Sequence, residues 1–372
     1  MNPKQTEPYI STYLHRKGRS LGIPVAGNFE LTARCNFDCP MCYVHKQGAD
    51  TAGELSAAQW LQIAWDARDA GMLFALLTGG EPFVRKDFFE ILHGMQDLGL
   101  HVSINSNGSM LKGAVLEALL ERPPARMNIS LYGGSEETYL RQCGQNAFGN
   151  VVENIRALCE AGVCVGINLA ITPHNRQDVE KIYEISRQLG VPVRAGSYMY
   201  PSVRVNGGQF GCVDRLSPEE AARCEVQWDQ LRLSPEDFAR RAEAMAQFTA
   251  DLRGCPVEEE EGVRCRAGFT SFWMTWDGRM LPCGMMPHAG EPVLEKGFAA
   301  AWQAVREWTA TIRMPKECGT CAYQSMCPVC AAVTVTETGA FDGVPEYVCR
   351  QTKATIEETI RMAKERKDPL GD

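Results

Sequence analysis

Between about residues 26 and 200 the chain repeats one theme six times, a short apolar run followed by an amphipathic stretch, at a spacing of roughly thirty residues. Strand-like runs fall at 27–32, 73–78, 101–105, 127–131, 164–171 and 191–196, and helix-like stretches at 56–70, 87–98, 110–121, 148–161 and 178–189. Several of these stretches end at a glycine (Gly71, Gly99, Gly162, Gly190), the residue a helix C-terminus prefers. Strands that alternate with helices pair in parallel through right-handed crossovers. Six such units leave the barrel open. The expected fold is therefore α/β, a partial (β/α)6 barrel of the TIM type, with its chemistry on the loops that follow the strands.

The rest of the chain reads differently. Asn206-Gly207-Gly208 breaks the pattern, and Ser217-Pro218-Glu219-Glu220 and Ser234-Pro235-Glu236-Asp237 each read as a capped helix start. The acidic run at 258–261 reads as a solvated loop. Asp277-Gly278 between β-prone runs at 269–276 and 279–283 signals a hairpin. A surface helix is expected at 354–366. The expected organisation is an N-terminal extension at 1–25, the barrel at 26–205, a helical bridge at 206–254, a small cysteine-rich unit with a hairpin and short helices at 255–352, and a C-terminal helix and tail at 353–372.

Composition narrows the function. The chain has 372 residues, 45% of them hydrophobic, which is ample for a large core. A formal net charge of -8 gives no basic footprint for nucleic acid. The N-terminus lacks an apolar signal core, and no run reaches the ~18 apolar residues a membrane span needs. A cytoplasmic protein with no membrane partner is expected. Its sixteen cysteines are hard to explain as disulfides in a compartment that keeps thiols reduced, so metal or cluster ligation is the better account.

Three cysteines, Cys35, Cys39 and Cys42, stand within eight residues directly after the first strand, where this fold places chemistry. A structural zinc site usually shows four ligands in paired two-residue gaps, whereas this trio has one longer gap and no obvious fourth ligand, His45 being nearby. Thr78-Gly79-Gly80-Glu81-Pro82 follows the second strand: two glycines allow close backbone approach to a ligand, and a carboxylate can accept from an ammonium group. Asn105 and Asn107 end the third strand and Ser130 the fourth, although each could equally cap a helix. Eight further cysteines (Cys255, Cys265, Cys283, Cys318, Cys321, Cys327, Cys330, Cys349) crowd the last third, enough for two fully ligated clusters or, alternatively, two zinc-ribbon-like sites. Cys159 and Cys164 read as small core fillers, and Cys143 and Cys212 sit in loops near the presumed active face.

The C-x3-C-x2-C trio with the glycine motif one unit later resembles the radical S-adenosylmethionine (SAM) superfamily. That resemblance implies a four-iron cluster whose free iron is chelated by the amino and carboxylate groups of SAM. One electron then cleaves the sulfonium to a 5′-deoxyadenosyl radical, which takes a hydrogen from substrate. It further implies that Gly79, Gly80 and Glu81 meet the SAM ammonium group, that Asn105, Asn107 and Ser130 meet ribose or carboxylate, and that Arg141 pairs with the carboxylate. Asn168 or Asn175 would meet adenine or ribose. The family usually carries an aromatic residue just before the third cysteine; here Met41 stands there, so the adenine contact would fall to its backbone or to Tyr43.

The late cysteines resemble the SPASM domain, an extension of radical SAM enzymes that modify peptides. By that resemblance Cys255, Cys265, Cys283 and Cys330 hold one auxiliary 4Fe-4S cluster, and Cys318, Cys321, Cys327 and Cys349 hold a second, three clusters in all. Here two residues separate Cys327 from Cys330, where the family usually has three. Auxiliary clusters would pass electrons to or from the site and suit an oxidative outcome. The leading expectation is modification of a ribosomally made peptide, presented by a separate leader-binding protein or at the barrel mouth itself, with flavodoxin or ferredoxin as electron donor. Formylglycine formation is a second reading, weakened by Gly284 where an acidic residue is usual. Tetrapyrrole side-chain modification and a non-catalytic electron carrier complete the alternatives. Tyr198, Tyr200 and Arg204 could line the substrate opening. The general base is not legible.

Overall fold

The computed structural model describes residues 7–43, 53–201, 214–250 and 262–367. His45, Arg204, Cys212, Cys255, the break at 206–208 and the acidic run at 258–261 lie outside the described residues. A helix α1 (Glu7–Leu21) precedes six β/α units. These are β1 (Ala26–Glu30) with α2 (Ala57–Asp69), β2 (Phe74–Thr78) with α3 (Phe88–Asp97), β3 (His101–Ser106) with α4 (Ala114–Glu121), β4 (Arg126–Ser130) with α5 (Glu136–Cys143) and α6 (Phe148–Glu160), β5 (Val165–Ala170) with α7 (Val179–Leu189), and finally β6 (Val193–Gly196). Two long helices follow, α8 (Pro218–Arg232) and α9 (Pro235–Ala250). The C-terminal part holds β7 (Ser271–Met274), β8 (Arg279–Leu281), β9 (Glu291–Pro292), α10 (Val293–Lys296), α11 (Phe298–Thr311), α12 (Lys316–Gly319), α13 (Ala331–Thr338) and α14 (Glu346–Lys367).

Among the described residues nine strands share one sheet, in the order β6-β5-β4-β3-β2-β1-β7-β8-β9. β1 to β6 run parallel, the partial barrel expected from the six-fold alternation. The expected hairpin forms as β7 and β8, with Gly278 in the left-handed region at its turn (φ 79°). Its strand β7 also pairs in parallel with β1 across some 240 residues of chain, Ala26 opposite Ser271, so both parts of the molecule share one sheet.

Local chemistry explains the elements. Ser56 caps α2 in a reciprocal capping box with Gln59, and Trp60, Ile63, Ala64 and Ala67 recur at helical spacing on its buried face. Trp60 meets Phe29 of β1 edge to face at 5.9 Å, Phe29 meets Phe272 of β7 at 5.7 Å, and Phe272 meets Phe298 at 5.4 Å. Each such ring, fully buried, contributes about 1.5–3 kcal/mol. This aromatic column joins the barrel to the hairpin. Ser217 caps α8 with its own capping box to Glu220, and Ser234 accepts from the Asp237 backbone N–H at 3.1 Å.

The C-terminal helix differs from expectation. α14 starts eight residues before 354, and Gln351, Thr352, Thr355, Ile356, Thr359 and Ala363 are buried, since one face packs along α8 and α9. Its composition is polar because the buried stripe is largely threonine, whose hydroxyls return to the helix backbone, as Thr359 does to Thr355 at 2.7 Å. Among the described residues no helix is long and apolar enough to cross a membrane.

Candidate active site

The loops after the strands converge on a cavity of about 390 Å³ at the carboxyl end of the barrel. Cys35, Cys39 and Cys42 line it from the β1 loop, Gly79 and Gly80 from the β2 loop, Asn105 and Asn107 from β3, Ser130 from β4 and Asn168 from β5. Met41, Tyr43, Tyr198 and Tyr200 line it too. Sheet register sets the polar rungs: Ser130 lies opposite Asn168, and Asn128 donates to the Asn105 side-chain oxygen at 2.9 Å.

The glycines serve the chain before any ligand. Gly80 N–H donates to the Thr32 carbonyl at 2.8 Å and Glu81 N–H to the Arg34 carbonyl at 2.9 Å. A Cβ on Gly79 would stand 2.4 Å from the Thr32 oxygen, and one on Gly80 2.2 Å from the Arg34 oxygen. Gly79 also has φ +145°. The β2 loop is thereby laced to the segment that delivers Cys35. Buried Arg85 supports the same segment, donating to the Leu31 carbonyl at 2.7 Å and the Leu55 carbonyl at 2.9 Å while paired with Asp87 at 2.6 Å.

Three residues named from the sequence, Glu81, Arg141 and Asn175, are not brought into the cavity lining. Glu81 is fully buried and points into the protein, where it accepts from Asn107 N–H at 2.7 Å, Ser106 Oγ at 3.0 Å and Phe83 N–H at 3.2 Å. Burial pushes its carboxyl up to about 7, against the pull of those bonds. It holds the β3 loop that carries Asn107. Arg141 is exposed on α5. Asn175 is buried and braces two loop carbonyls, those of Tyr132 and Ala170, at 2.8 Å each. Conversely, Phe37, Tyr132, Tyr139, Met199 and Met285 line the cavity without having been singled out. Tyr132 and Tyr139 follow β4, where a strand-end rule applied to every unit could have found them.

The trio is half-buried. Burial, together with the neighbouring Glu81, Cys39 and Cys42, pushes the Cys35 thiol up to about 12. Cys39 is also held well above its ordinary value, by its hydrogen bond to buried Cys143 and by burial. Yet donors already face the Cys35 sulfur: Phe37 N–H at 3.4 Å and Asn107 Nδ2 at 3.9 Å. Crowded thiols that resist ionisation but are offered N–H donors suit a cationic iron centre, which would supply the missing positive charge. Among the described residues, no three His, Cys, Asp or Glu side chains stand close enough to hold a single metal ion. A cubane's corner irons spread their thiolates wider than one ion does.

Residues 29–185 match the radical SAM superfamily. That stretch holds the cysteine trio and the Gly79-Gly80 turn. A match to that superfamily implies a 4Fe-4S cluster and SAM as cofactors. An AdoMet-dependent heme synthase of Methanosarcina barkeri is 26% identical over 336 residues, 84% of this chain and 93% of the synthase. A probable GTP 3′,8-cyclase of Saccharolobus islandicus is 37% identical over 163 residues, 43% of this chain; the chain spans about half (52%) of that cyclase. Streptococcus suis SuiB superposes with a TM-score of 0.67 at 17% identity, over 93% of this chain and 83% of SuiB. The enzyme anSMEcpe, solved with bound AdoMet, reaches 0.70 at 15% identity, over 94% and 96%. Both likenesses are of fold, and both extend through the cysteine-rich C-terminal part.

The late cysteines fall into two groups. Cys318, Cys321, Cys327 and Cys349 are close enough to act on one another's charge, and together with burial they push Cys318 up to about 11. Cys265 lies near Cys330, which in turn adjoins Tyr200 and Cys283. Backbone and hydroxyl donors face these sulfurs, Met285 N–H to Cys283 at 3.5 Å and Thr352 Oγ1 to Cys327 at 3.6 Å.

Proposed function

We propose that this radical SAM enzyme modifies a side chain of a peptide. When bound, the cluster and SAM supply the radical that takes a hydrogen from the substrate. The chain's own residues do the rest. Cys35, Cys39 and Cys42 hold the cluster and leave one iron to the cosubstrate. Gly79, Gly80, Asn105, Asn107, Ser130 and Asn168 offer backbone and amide groups to its polar parts, with Met41 and Tyr43 beside the adenine. Cys265, Cys283 and Cys330, with Cys255, hold one auxiliary cluster, and Cys318, Cys321, Cys327 and Cys349 the other. The buried aromatic walls exclude water from a reactive intermediate.

The observation that carries the peptide reading is the composition of the cavity wall. Tyrosines, methionines, amides and hydroxyls line it, with no Lys, Arg or His among the described residues there. Such a wall suits a neutral, amide-rich chain. It offers no counter-charge to the carboxylates of a tetrapyrrole. Support comes also from the fold shared with SuiB bound to precursor peptide SuiA (TM-score 0.64) and with anSMEcpe bound to AdoMet and the Cp18Cys peptide (0.66).

One observation favours the tetrapyrrole alternative: the heme synthase relative is matched along nearly its whole length. Incubating reduced, reconstituted enzyme with SAM and either a short peptide encoded beside it or a carboxylate-bearing porphyrin separates the two. A mass change of the peptide with porphyrin unaltered is expected. Modified porphyrin beside intact peptide would reverse the assignment.

A further inference from the structure

Met41 stands in the wall of the active-site cavity and, in sequence, between two of the three clustered cysteines, Cys39 and Cys42. With three rotatable side-chain bonds, methionine is among the softest residues a binding wall can be given. Here its sulfur is anchored. Nε2 of Gln142, in the last turn of α5, donates to Met41 Sδ at 3.1 Å. Gln142 is 1% exposed and lies behind the cavity lining rather than in it.

The amide is held at its other end as well. A thioether can only accept, so the nitrogen of the amide has to face Met41 and its oxygen has to face away. Thr172, just after β5, donates its hydroxyl to that oxygen at 2.7 Å and accepts from His174 N–H at 3.2 Å. Thr172 is fixed in turn by its own N–H, which donates to the Asn175 side-chain oxygen at 2.8 Å. Thr172 and Asn175 are as deeply buried as Gln142. Asp38 N–H donates to the Cys143 carbonyl at 3.1 Å, which ties the cysteine loop to the same end of α5. The loop and its methionine are thus both anchored to α5, and through Thr172 to the end of β5.

We infer that Gln142 is a positioning residue for SAM, holding the Met41 side chain in the one conformation that packs against the adenine. The inference deepens the proposed reading of the site and rests on it, since that reading puts Met41 beside the adenine. A methionine left mobile would have to be ordered each time the cosubstrate bound, at the expense of affinity. One that Gln142 has already ordered carries no such cost. Gln142 touches neither substrate nor cosubstrate; it acts through Met41.

Calorimetry of SAM binding to the iron-loaded enzyme tests this, with iron content and melting temperature measured alongside. Gln142→Leu keeps the bulk and removes the donor, so the dissociation constant should rise about threefold to tenfold, the worth of one net hydrogen bond. Met41→Ala should weaken SAM binding too, and adding Gln142→Leu to it should cost nothing further, because the amide then has no thioether to hold. Met41→Phe, whose ring has only two torsions, should also make Gln142→Leu harmless. A Gln142→Leu loss as large in the Met41→Ala background as in the parent would show that the amide merely braces the loop, and would overturn the inference. So would an unchanged dissociation constant in Gln142→Leu while Met41→Ala weakens binding, which leaves the placement of Met41 standing. Unchanged affinity in Met41→Ala would sink that placement itself, and the inference with it. Should Gln142→Leu fail to take up iron, Thr172→Val removes the hydroxyl that aims the amide; a rise of about twofold to fivefold is expected there, and no rise would count against the inference in the same way.

Discussion

The hydroxyl of Tyr200 stands 3.9 Å from Sγ of Cys330, so a wall residue of the active-site cavity touches a cysteine of the C-terminal set. Hydrogen bonds to ligating sulfur stabilise the reduced form of an iron–sulfur cluster and raise its potential. Tyr200→Phe should therefore make the couple of the cluster proposed at Cys330 more negative. One net hydrogen bond of about 0.5–1.5 kcal/mol corresponds to roughly 20–60 mV for one electron. An EPR-monitored redox titration reads the shift, and an unmoved potential would remove Cys330 from the ligand set.

Gly80 tests the lacing of the β2 loop to the cysteine loop. Gly80→Ala drives a methyl to within 2.2 Å of the Arg34 carbonyl oxygen, a backbone atom that cannot swing aside. A cost of about 3 kcal/mol is expected, with loss of iron at the trio as the loop shifts. Gly99→Ala is the contrast: its Cβ meets nothing within 4 Å, and only its φ of +79° is strained, so about 1 kcal/mol is expected. Melting temperatures with iron analysis check both; equal losses would mean the close approach is not what matters.

Arg215 and Glu337 form a largely buried pair, 2.9 Å apart at Nη2 and Oε2, and Tyr198 of the cavity wall donates to the same carboxylate at 2.6 Å. The guanidinium also lies 3.8 Å from the centre of the Tyr347 ring. Arg215→Ala strands the Glu337 charge among apolar neighbours and should cost about 3–5 kcal/mol in denaturant unfolding. Arg215→Leu combined with Glu337→Leu should recover most of that stability but leave Tyr198 without its acceptor. A double variant no more stable than Arg215→Ala would locate the cost in lost packing instead.

Much of the barrel was legible because its signals are local. The third strand was expected at 101–105 and runs His101–Ser106; the helix expected at 178–189 runs Val179–Leu189. Apolar runs bounded by glycine need only their neighbours to be read. The trio and the two glycines were legible for the same reason, since a strand-end loop is short. Helix α5 was missed: its eight residues are mostly polar, and the Ser135 cap, which accepts from Thr138 N–H at 3.2 Å, was its one local sign. The pairing of β1 with β7 was beyond reach, because it joins segments some 240 residues apart and leaves no periodicity in either. Glu81 shows another limit. A carboxylate after a Gly-Gly turn can face a ligand or the chain, and only the inward positions of Ser106 and Asn107 decide which.

Glu81 gives the stability of the protein a pH signature. Its carboxyl is fully buried and raised from 4.5 to about 7, so between those values the folded chain holds a proton that the unfolded chain has released. Stability from this residue is therefore complete below about pH 4.5 and is lost as pH rises toward 7, by on the order of 3 kcal/mol in total. Glu81→Gln carries no titrating proton, so its unfolding free energy should be flatter across that window, and the parent's advantage over it should shrink by about 3 kcal/mol as pH rises from 4.5 to 7. The glutamine can still accept one of the three hydrogen bonds, but its amide presents a donor toward Asn107 N–H or Ser106, which lowers the whole curve by about 1–3 kcal/mol. Denaturant unfolding of the metal-free protein from pH 4.5 to 7.5 measures both effects. Parallel curves for parent and variant would mean that Glu81 is ionised throughout, held so by the donors of Asn107, Ser106 and Phe83 despite its burial.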